Sequence, residues 1–179
     1  HTLPRTTEDG VNLRKLMIAD EGKTFIAADF SQAELRVLAH CSRDTALIQA
    51  FKSGEDLHYY TASLVFGKDI SEITKGERQI AKSCIFLIVY GGSYKKLAEQ
   101  IGRSDGYAKD IFKRFQTQFP GIFTFMKVVN KFTKANGYSM SLFGRRRNLP
   151  NVHSPITKYQ YRALRQGLNF VIQSSTSDM

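Results

Sequence analysis

Residues 25–40, FIAADFSQAELRVLAH, pass from one hydrophobic period to another. Their first part alternates with the period of two that is typical of a β-strand, and Leu35 and Leu38 then follow the 3.6-residue period of a helix. Asp29 ends the predicted strand, where a carboxylate can face solvent and bind a hard cation such as Mg²⁺ through oxygen. The alternative is a solvated acid at the end of a strand. The stretch therefore predicts a strand, a candidate metal ligand and a helix in succession.

The flanking residues extend this prediction. Residues 13–30 predict two strands joined by the turn signal DEG at residues 20–22, and so an antiparallel hairpin that ends at Asp29. The sequence SQAE, from Ser31 to Glu34, matches a capping box. In that arrangement the Ser31 hydroxyl accepts from the backbone N–H of Glu34, and the Glu34 carboxylate accepts from the backbone N–H of Ser31. Capping is therefore a structural alternative for Glu34.

The rest of the chain is mainly helical in pattern. Helical periodicity runs from Ser31 to about Phe132 and returns from about Thr157 to Ile172, whereas GYSMSLFG, residues 137–144, has a strand pattern. Breaks fall at residues 53–54, 67, 91–92, 102 and 120–121. Strands that are interrupted by helices and then resume predict an α+β fold, an antiparallel sheet into which a mainly helical subdomain is inserted.

The composition indicates a basic globular protein. Its 179 residues are 42% hydrophobic, enough for a packed core, and 26 Lys and Arg against 16 Asp and Glu give a net charge of +10. This charge favours a polyanionic partner such as nucleic acid; the alternative is a basic protein with no such partner. Cys41 and Cys84 lie far apart in apolar helical contexts, which predicts reduced packing residues. The apolar runs are too short to span a bilayer, so no membrane partner is expected.

The segment ERQIAKSCIFLIVYGGS, residues 77–93, predicts an amphipathic helix that ends at its glycines. Arg78, Lys82, Phe86 and Tyr90 are each four residues apart and share one face, while the opposite face is already apolar. Two cations one turn apart suit the phosphates of a nucleotide, and two aromatic rings further along can stack on a base. The alternative is a core helix with a solvated cationic edge.

Two other cationic regions indicate contacts with nucleic acid. Polar side chains share one face of the last predicted helix, where they could follow the minor groove without reading its sequence: Arg162, Arg165, Gln166, Asn169 and Gln173. The run RRR at residues 145–147 could hold a nucleic-acid backbone. Solvated surface residues are the alternative for both regions.

Two of these stretches match motifs of a known family. DFSQAELR, residues 29–36, resembles motif A of the family A DNA polymerases, usually D-Y-S-Q-I-E-L-R. RQIAKSCIFLIVYG, residues 78–91, resembles their motif B, R-x-x-x-K-x-x-x-F-G-x-x-Y-G. The resemblance covers essentially the whole chain in the family's order. Phe30, Ala33 and Leu87 stand where the family usually has Tyr, Ile and Gly.

The resemblance implies a division into palm and fingers. Residues 1–52 would be the first part of the palm, with the hairpin, motif A and the following helix. Residues 53–135 would be the fingers, including the motif B helix 77–92, and residues 136–179 would return to the palm as a hairpin and a DNA-contacting helix. The family's thumb, its exonuclease-like domain and the H-D-E of its motif C have no counterpart, so the chain is expected to be a fragment that is inactive alone.

The resemblance also implies a chemistry. The family adds deoxynucleoside triphosphates to a primer 3'-hydroxyl with two Mg²⁺ ions, for which Mn²⁺ can substitute. Asp29 would be a catalytic ligand of both ions, and the backbone carbonyl of Phe30 would bind the nucleotide-side ion. Lys82 would be the second catalytic residue, as proton donor to the departing pyrophosphate.

The remaining implied roles are binding roles. Glu34 would be the steric gate against a ribose 2'-hydroxyl, Phe86 would lie under the incoming sugar, and Tyr90 would occupy the template-base position until the fingers close. The nucleotide-binding set is Gln32, Glu34, His58, Arg78, Lys82, Phe86 and Tyr90. The DNA-binding set is Arg145, Arg146, Arg165, Asn169 and Gln173. Outside the resemblance, His58 would more often be an ordinary surface or packing histidine.

The implied partners are primer-template DNA and deoxynucleoside triphosphates. The parent enzyme is expected to be a monomer in the cytoplasm of a bacterium or of a phage-infected cell. One rival hypothesis is a polymerase-like module that binds DNA or nucleotide without turnover, and another is a structural basic helical protein. The binding module predicts salt-sensitive DNA binding that survives Asp29→Ala, whereas a catalytic parent predicts that this change abolishes Mg²⁺-dependent incorporation.

Overall fold

The computed structural model describes residues 12–54 and 56–179, which fall into two compact units that divide between Ser31 and Gln32. In the first unit a 3₁₀ helix spans Leu13–Leu16, and the backbone N–H of Lys23 donates to the Asp20 carbonyl across a turn. Described residues 12–31 contain no strand, so the prediction of a hairpin over residues 13–30 is wrong in its strands and right only in its turn.

Exposure accounts for the missing hairpin. Two strands without a third strand or a packed apolar face are marginally stable in water. The side chains that would form such a face stay in solvent: Ile18 is 86% exposed, Phe25 65% and Ile26 91%. Asp29 therefore lies in an irregular, exposed segment and does not end a strand.

The second unit contains eight α-helices and one hairpin within the described residues. The helices are α1 Ala33–Ser42, α2 Thr45–Lys52, α3 Leu57–Phe66, α4 Lys75–Val89, α5 Tyr94–Ile101, α6 Asp105–Gln118, α7 Pro120–Asn136 and α8 Thr157–Ser177. The strands are β1 Tyr138–Met140 and β2 Arg146–Asn148, which pair antiparallel with Ser139 opposite Arg147. Short 3₁₀ helices span Ile70–Glu72 and Pro150–His153. The α+β class is confirmed, with far more helix than sheet.

Most of the predicted breaks mark helix ends. Gly67 and Gly102 follow α3 and α5 in the left-handed conformation, and Pro120 occupies the first position of α7. The last helix begins at Thr157 as predicted and continues past Ile172 to Ser177.

The predicted capping box at α1 is wrong. Gln32 is the N-cap, in the left-handed conformation (φ 54°, ψ 40°), and its side chain makes no capping hydrogen bond. This turn starts the helix at Ala33, so Glu34 is one position too early to serve as the third residue of a box. A complete capping box forms instead at the start of α4, between Thr74 and Glu77.

The core lies among α1 to α7, with Phe115 and Phe119 at its centre, their rings 4.5 Å apart. One face of α8 is also buried, including Leu164, Leu168 and Ile172. Both cysteines are free, as predicted, and burial raises the pKa of the Cys84 thiol to about 12. Among the described residues, no helix combines the length and apolar character needed to cross a bilayer.

Candidate nucleotide and nucleic-acid site

The amphipathic character predicted for α4 is confirmed. Ala81, Cys84, Ile85 and Ile88 are buried on its inner side. Arg78, Lys82 and Phe86 are partly exposed on the other side, and Tyr90 continues their row as the C-cap residue. We call these four residues the α4 face. The helix itself runs from Lys75 to Val89, close to the predicted range 77–92.

Arg78 is held by an acid that the sequence reasoning missed. Its Nη2 donates to Asp56 Oδ2 at 2.6 Å, and its guanidinium lies 5.2 Å from the centre of the Tyr59 ring. The other oxygen of Asp56 caps α3, accepting from the backbone N–H groups of His58 and Tyr59. An aspartate directly before a helical pattern is a capping signal, and this was the clue available in the sequence.

Arg78 and Asp56 each stabilise the charged form of the other. Burial alone would raise the pKa of Asp56, but the hydrogen bonds from Arg78 and from the backbone of α3 lower that pKa below its usual range. Asp56 in turn raises the pKa of Arg78. Lys82 forms no ion pair with any residue of the described ranges, so its ammonium group is available to bind a ligand.

His58 is buried beside the α4 face. The residue is 5% exposed, its ring lies 6.2 Å from that of Phe86, and its Nδ1 has no hydrogen-bond partner within residues 12–54 and 56–179. Burial lowers its pKa, Asp56 opposes this shift, and the charges of Arg78 and Lys82 add to it. The imidazole is therefore neutral at pH 7 and can form hydrogen bonds without contributing a positive charge.

Two aromatic rings and one carboxylate meet at the end of α4. The rings of Phe86 and Tyr90 are nearly parallel, with an interplanar angle of 17° and centres 6.4 Å apart. The Tyr90 hydroxyl donates to Glu34 Oε2 at 2.6 Å, which joins α4 to α1. Burial raises the pKa of Tyr90, and Glu34 raises it further. Gln32 also lies at the start of α1, where its Oε1 is buried without a hydrogen-bond partner among the described residues.

A cavity of about 590 Å³ opens beside these rings. Phe86 and Tyr90 line it together with Lys96, Arg165 and the glycines after α4. Gly91 has a φ of +68°, and a Cβ there would approach Arg165 Cγ to 2.8 Å, so glycine leaves room for the Arg165 side chain beside the end of α4. Lys96 is a second residue that the sequence reasoning missed, because its spacing places it on α5 and outside the α4 pattern.

The candidate metal ligands lie in the first unit. Asp29 and Phe30 are exposed, and a carboxylate and a carbonyl are the hard oxygen donors that Mg²⁺ prefers. The described parts of the chain contain no cluster of three or more His, Cys, Asp or Glu that could hold a metal ion. These residues therefore suit a divalent cation but supply only part of a ligand set.

The predicted DNA-binding residues lie on α8 and the hairpin. Arg165 and Gln173 are exposed on α8, and the Oδ1 of Asn169 is buried without a hydrogen-bond partner in the described residues. Arg145 makes two hydrogen bonds to the Asp178 carboxylate, at 2.6 and 3.3 Å. Arg146 lies over the Tyr138 ring at 4.9 Å.

Chemically, the α4 face and its cavity suit a ligand that combines phosphates with an aromatic base, which is the chemistry of nucleotide-handling proteins. The chain belongs to the DNA polymerase family A, whose family model matches residues 1–179.

Similar proteins agree with this family. The chain is 37% identical over 177 residues to DNA polymerase I of Chloroflexus aurantiacus and 36% identical over 177 residues to DNA polymerase I of Caldicellulosiruptor bescii. These matches cover 99% of this chain but only 19% and 21% of those proteins, so the chain spans about a fifth of their length. Among solved structures, the POL domain of Pol1 from M. smegmatis, in complex with DNA primer-template and dNTP, matches with a TM-score of 0.80 and 33% identity. That match covers 95% of this chain and 32% of the other.

Proposed function

We propose that this chain is part of the palm and the fingers of a template-directed DNA polymerase, which adds deoxynucleoside triphosphates to a primer 3'-hydroxyl. The observation that carries the proposal is the α4 face, on which two cations are followed by two stacked aromatic rings. A relative solved with primer-template and dNTP supports the same two partners here. In this proposal residues 1–52 and 136–179 belong to the palm and residues 53–135 to the fingers, in a monomeric enzyme of the bacterial cytoplasm.

The cations of the α4 face would receive the triphosphate. Lys82 binds it directly and donates a proton to the departing pyrophosphate, a step that general acids typically accelerate by about 10²–10⁴-fold. Arg78 donates only through Nη2 to Asp56, so its other N–H groups can bind the phosphates while Asp56 holds the guanidinium in place. His58 donates one hydrogen bond from its neutral ring.

The aromatic end of the face would receive the sugar and the bases. Phe86 packs under the incoming sugar, and Tyr90 stacks in the position of the template base. The hydrogen bond from Tyr90 fixes the Glu34 carboxylate, which then fills the space that a ribose 2'-hydroxyl would need. Gln32 adds a buried amide oxygen at the start of the same helix.

Asp29 and the carbonyl of Phe30 would supply ligands to Mg²⁺ or Mn²⁺. When bound, two such ions activate the 3'-hydroxyl and stabilise the charge on the triphosphate. The chain's own contribution is the exposed Asp29 carboxylate and the Phe30 carbonyl, since the described residues hold no cluster of three or more His, Cys, Asp or Glu.

The duplex would lie along α8 and the hairpin. Arg165, Asn169 and Gln173 present donors to the minor groove, where acceptors occupy similar positions in every base pair. Arg146 binds the backbone, and Arg145 does so by exchanging its bonds to Asp178 for bonds to phosphate.

The first test is single-nucleotide primer extension by the longest protein that the reading frame encodes, with Mg²⁺ present. We expect Asp29→Ala to lower kcat by at least about a hundredfold, because it removes a metal ligand whose charge is worth several kcal/mol in the transition state. DNA binding in the absence of metal should be unchanged. Asp20→Ala is the matched control, since Asp20 is an exposed acid of the same unit, paired only with Lys23 in the described residues.

Retained activity in Asp29→Ala would overturn the assignment of Asp29. The second candidate function, a binding module without turnover, is favoured by the incomplete ligand set of the described residues. It predicts that the wild-type protein binds primer-template in a salt-dependent manner and extends no primer at all.

A further inference from the structure

Acidic residues are absent from a long part of the sequence. Between Asp110 and Asp178 there is no Asp or Glu, whereas the same stretch contains eleven Lys and Arg. Three of these cations, Lys127, Lys131 and Lys134, recur at helical spacing on one exposed face of α7. None of the three forms an ion pair with another described residue.

These lysines line a groove between α7 and α8. Its cavity has a volume of about 640 Å³ and is lined by the three lysines together with Asn130, Tyr161 and Leu164. Tyr161 is 62% exposed, so its ring is accessible for stacking. The Oδ1 of Asn130 is buried and has no hydrogen-bond partner in the described part of the chain. We call this cavity the lysine groove.

The lysine groove is continuous with the site on α4. A smaller cavity of about 160 Å³ shares Asn130, Tyr161 and Leu164 with it. The same small cavity shares Gly91 and Arg165 with the cavity beside Phe86 and Tyr90. A ligand that leaves the aromatic end of the α4 face can therefore follow a lined path into the lysine groove.

We propose that the lysine groove binds single-stranded nucleic acid, namely the unpaired template strand ahead of the primer terminus. Lys127, Lys131 and Lys134 bind successive phosphates, and Tyr161 stacks on a base. The three lysines span about 10 Å of helix, which matches about three nucleotides at roughly 3.4 Å each. This inference rests on the proposed polymerase function, because that function supplies the template strand.

The groove favours a single strand over a duplex. Lysines alone would attract any polyanion, but the exposed ring of Tyr161 offers apolar surface that only an unstacked base can cover. In a duplex the faces of the bases are stacked on one another and are not available to a protein ring. The amide of Asn130 adds a polar group that can bond a base edge or a phosphate.

The test measures how binding depends on the length of the template overhang. Fluorescence anisotropy on the longest protein of the reading frame, without Mg²⁺ or nucleotide, compares one labelled duplex carrying an overhang of about one or about eight nucleotides. We expect the wild-type protein to bind the long overhang about tenfold more tightly. In the double variant Lys127→Glu/Lys131→Glu the two overhangs should bind with nearly equal affinity. The salt dependence of long-overhang binding should also decrease.

Matched variants separate the groove from general electrostatics. Lys52→Glu/Lys109→Glu makes the same change of charge at exposed sites on α2 and α6 and should keep the tenfold ratio. Tyr161→Ala should lower the ratio, and Tyr161→Phe should keep it because stacking needs only the ring. An overhang without bases should lose the advantage in the wild-type protein.

The inference is overturned if the wild-type ratio is close to one, if the lysine-groove variant keeps it, or if a base-free overhang binds equally well. Extension of a one-nucleotide overhang, measured in parallel, should be unchanged in the groove variants. Failure of the wild-type protein to extend any primer would overturn the proposed polymerase function, and that outcome is independent of the binding ratio.

Discussion

His58, which the resemblance implies as a nucleotide contact, is buried as a neutral ring. Its ring is buried, 6.2 Å from the centre of the Phe86 ring, and burial lowers its pKa so that the imidazole stays neutral. The neighbouring charges of Arg78 and Lys82 lower the same pKa further. The positive charge offered to a triphosphate therefore resides on the two cations of α4. A buried, neutral histidine also makes folding depend on pH, since the unfolded chain binds a proton at His58 more readily than the folded chain does.

We predict that the free energy of unfolding decreases as pH falls below about 6.5, the ordinary pKa of histidine, and keeps falling until the lowered pKa of folded His58 is passed. His58→Gln should remove this part of the slope, whatever its effect on stability at pH 7. Urea unfolding at several values between about pH 5 and pH 7.5 measures it. His153→Gln, at an exposed histidine, is the control. Equal slopes for the wild type and His58→Gln would contradict the prediction.

Asp44 shows how one side chain joins two elements. It is 2% exposed, its Oδ1 accepts from the backbone N–H of Leu47 to cap α2, and its Oδ2 accepts from the backbone N–H of Gly121 in the first turn of α7. A Cβ on Gly121 would lie 2.8 Å from Asp44 Cα, so the two backbones are in direct contact. The start of α7 is thus fixed to the start of α2.

We predict that Asp44→Ala lowers the free energy of unfolding by about 3 kcal/mol, because a buried N–H group and a partly buried one lose their carboxylate acceptor. Asp44→Asn should cost less, since its amide oxygen can keep one bond while its NH₂ faces the other N–H group. Chemical denaturation followed by circular dichroism gives both values. Asp110→Ala, which breaks only an exposed pair with Arg114, should cost less than about 1 kcal/mol. A similar loss for Asp44→Ala and Asp110→Ala would show that the link contributes little.

Elements with complete local signals were predictable from the sequence. The face of α4 follows from spacing alone, and glycine or proline marks the ends of α3 and α5 and the start of α7. The prediction of a hairpin over residues 13–30 was wrong because a strand pattern indicates which side chains could share a face. It does not indicate whether another element covers that face. The prediction of a capping box at Glu34 was wrong because Gln32 adopts the left-handed conformation and the helix starts at Ala33. A sequence motif does not reveal the backbone conformation that sets this start.

The partners of site residues were harder to predict than the residues themselves. Arg78 lies 22 positions from Asp56, and Glu34 lies 56 positions from Tyr90. Each member of these pairs carries a local signal, but only the packing of α4 against its neighbours brings the members together. The sequence therefore predicted candidate site residues and left open which of their charges are already paired.

The charges of the molecule are unevenly distributed along its chain. The net charge is +10, and the stretch between Asp110 and Asp178 contains eleven cations and no acid; among the described residues, only the flanking Asp110 and Asp178 pair with two of these cations, Arg114 and Arg145. Like charges on one folded surface repel and lower the stability of the compact state. This cost should depend on ionic strength, because the Debye length falls from about 30 Å at 0.01 M salt to about 10 Å at 0.1 M.

We predict that raising NaCl from about 10 mM to about 100 mM increases the thermal midpoint of the protein in the absence of DNA. Replacing Lys127, Lys131 and Lys134 with Gln should raise the midpoint at low salt and reduce its salt dependence. Differential scanning calorimetry measures both effects. Lys96→Gln is the control, since it removes a lysine that is already paired with Glu99. A midpoint that falls with salt would mean that attraction between opposite charges outweighs this repulsion.

The acid-free stretch also bears on how the protein and a nucleic acid first meet. Nine of its eleven cations lie on α7, on α8 and in the hairpin, and the other two lie on α6, so a polyanion is attracted to these elements over distances much longer than a hydrogen bond. Attraction at that range turns the two molecules before they touch, and a larger fraction of collisions then begins with α8 facing the strand. Uneven charge would thus set the speed of capture, while side-chain contacts set how long the captured strand stays.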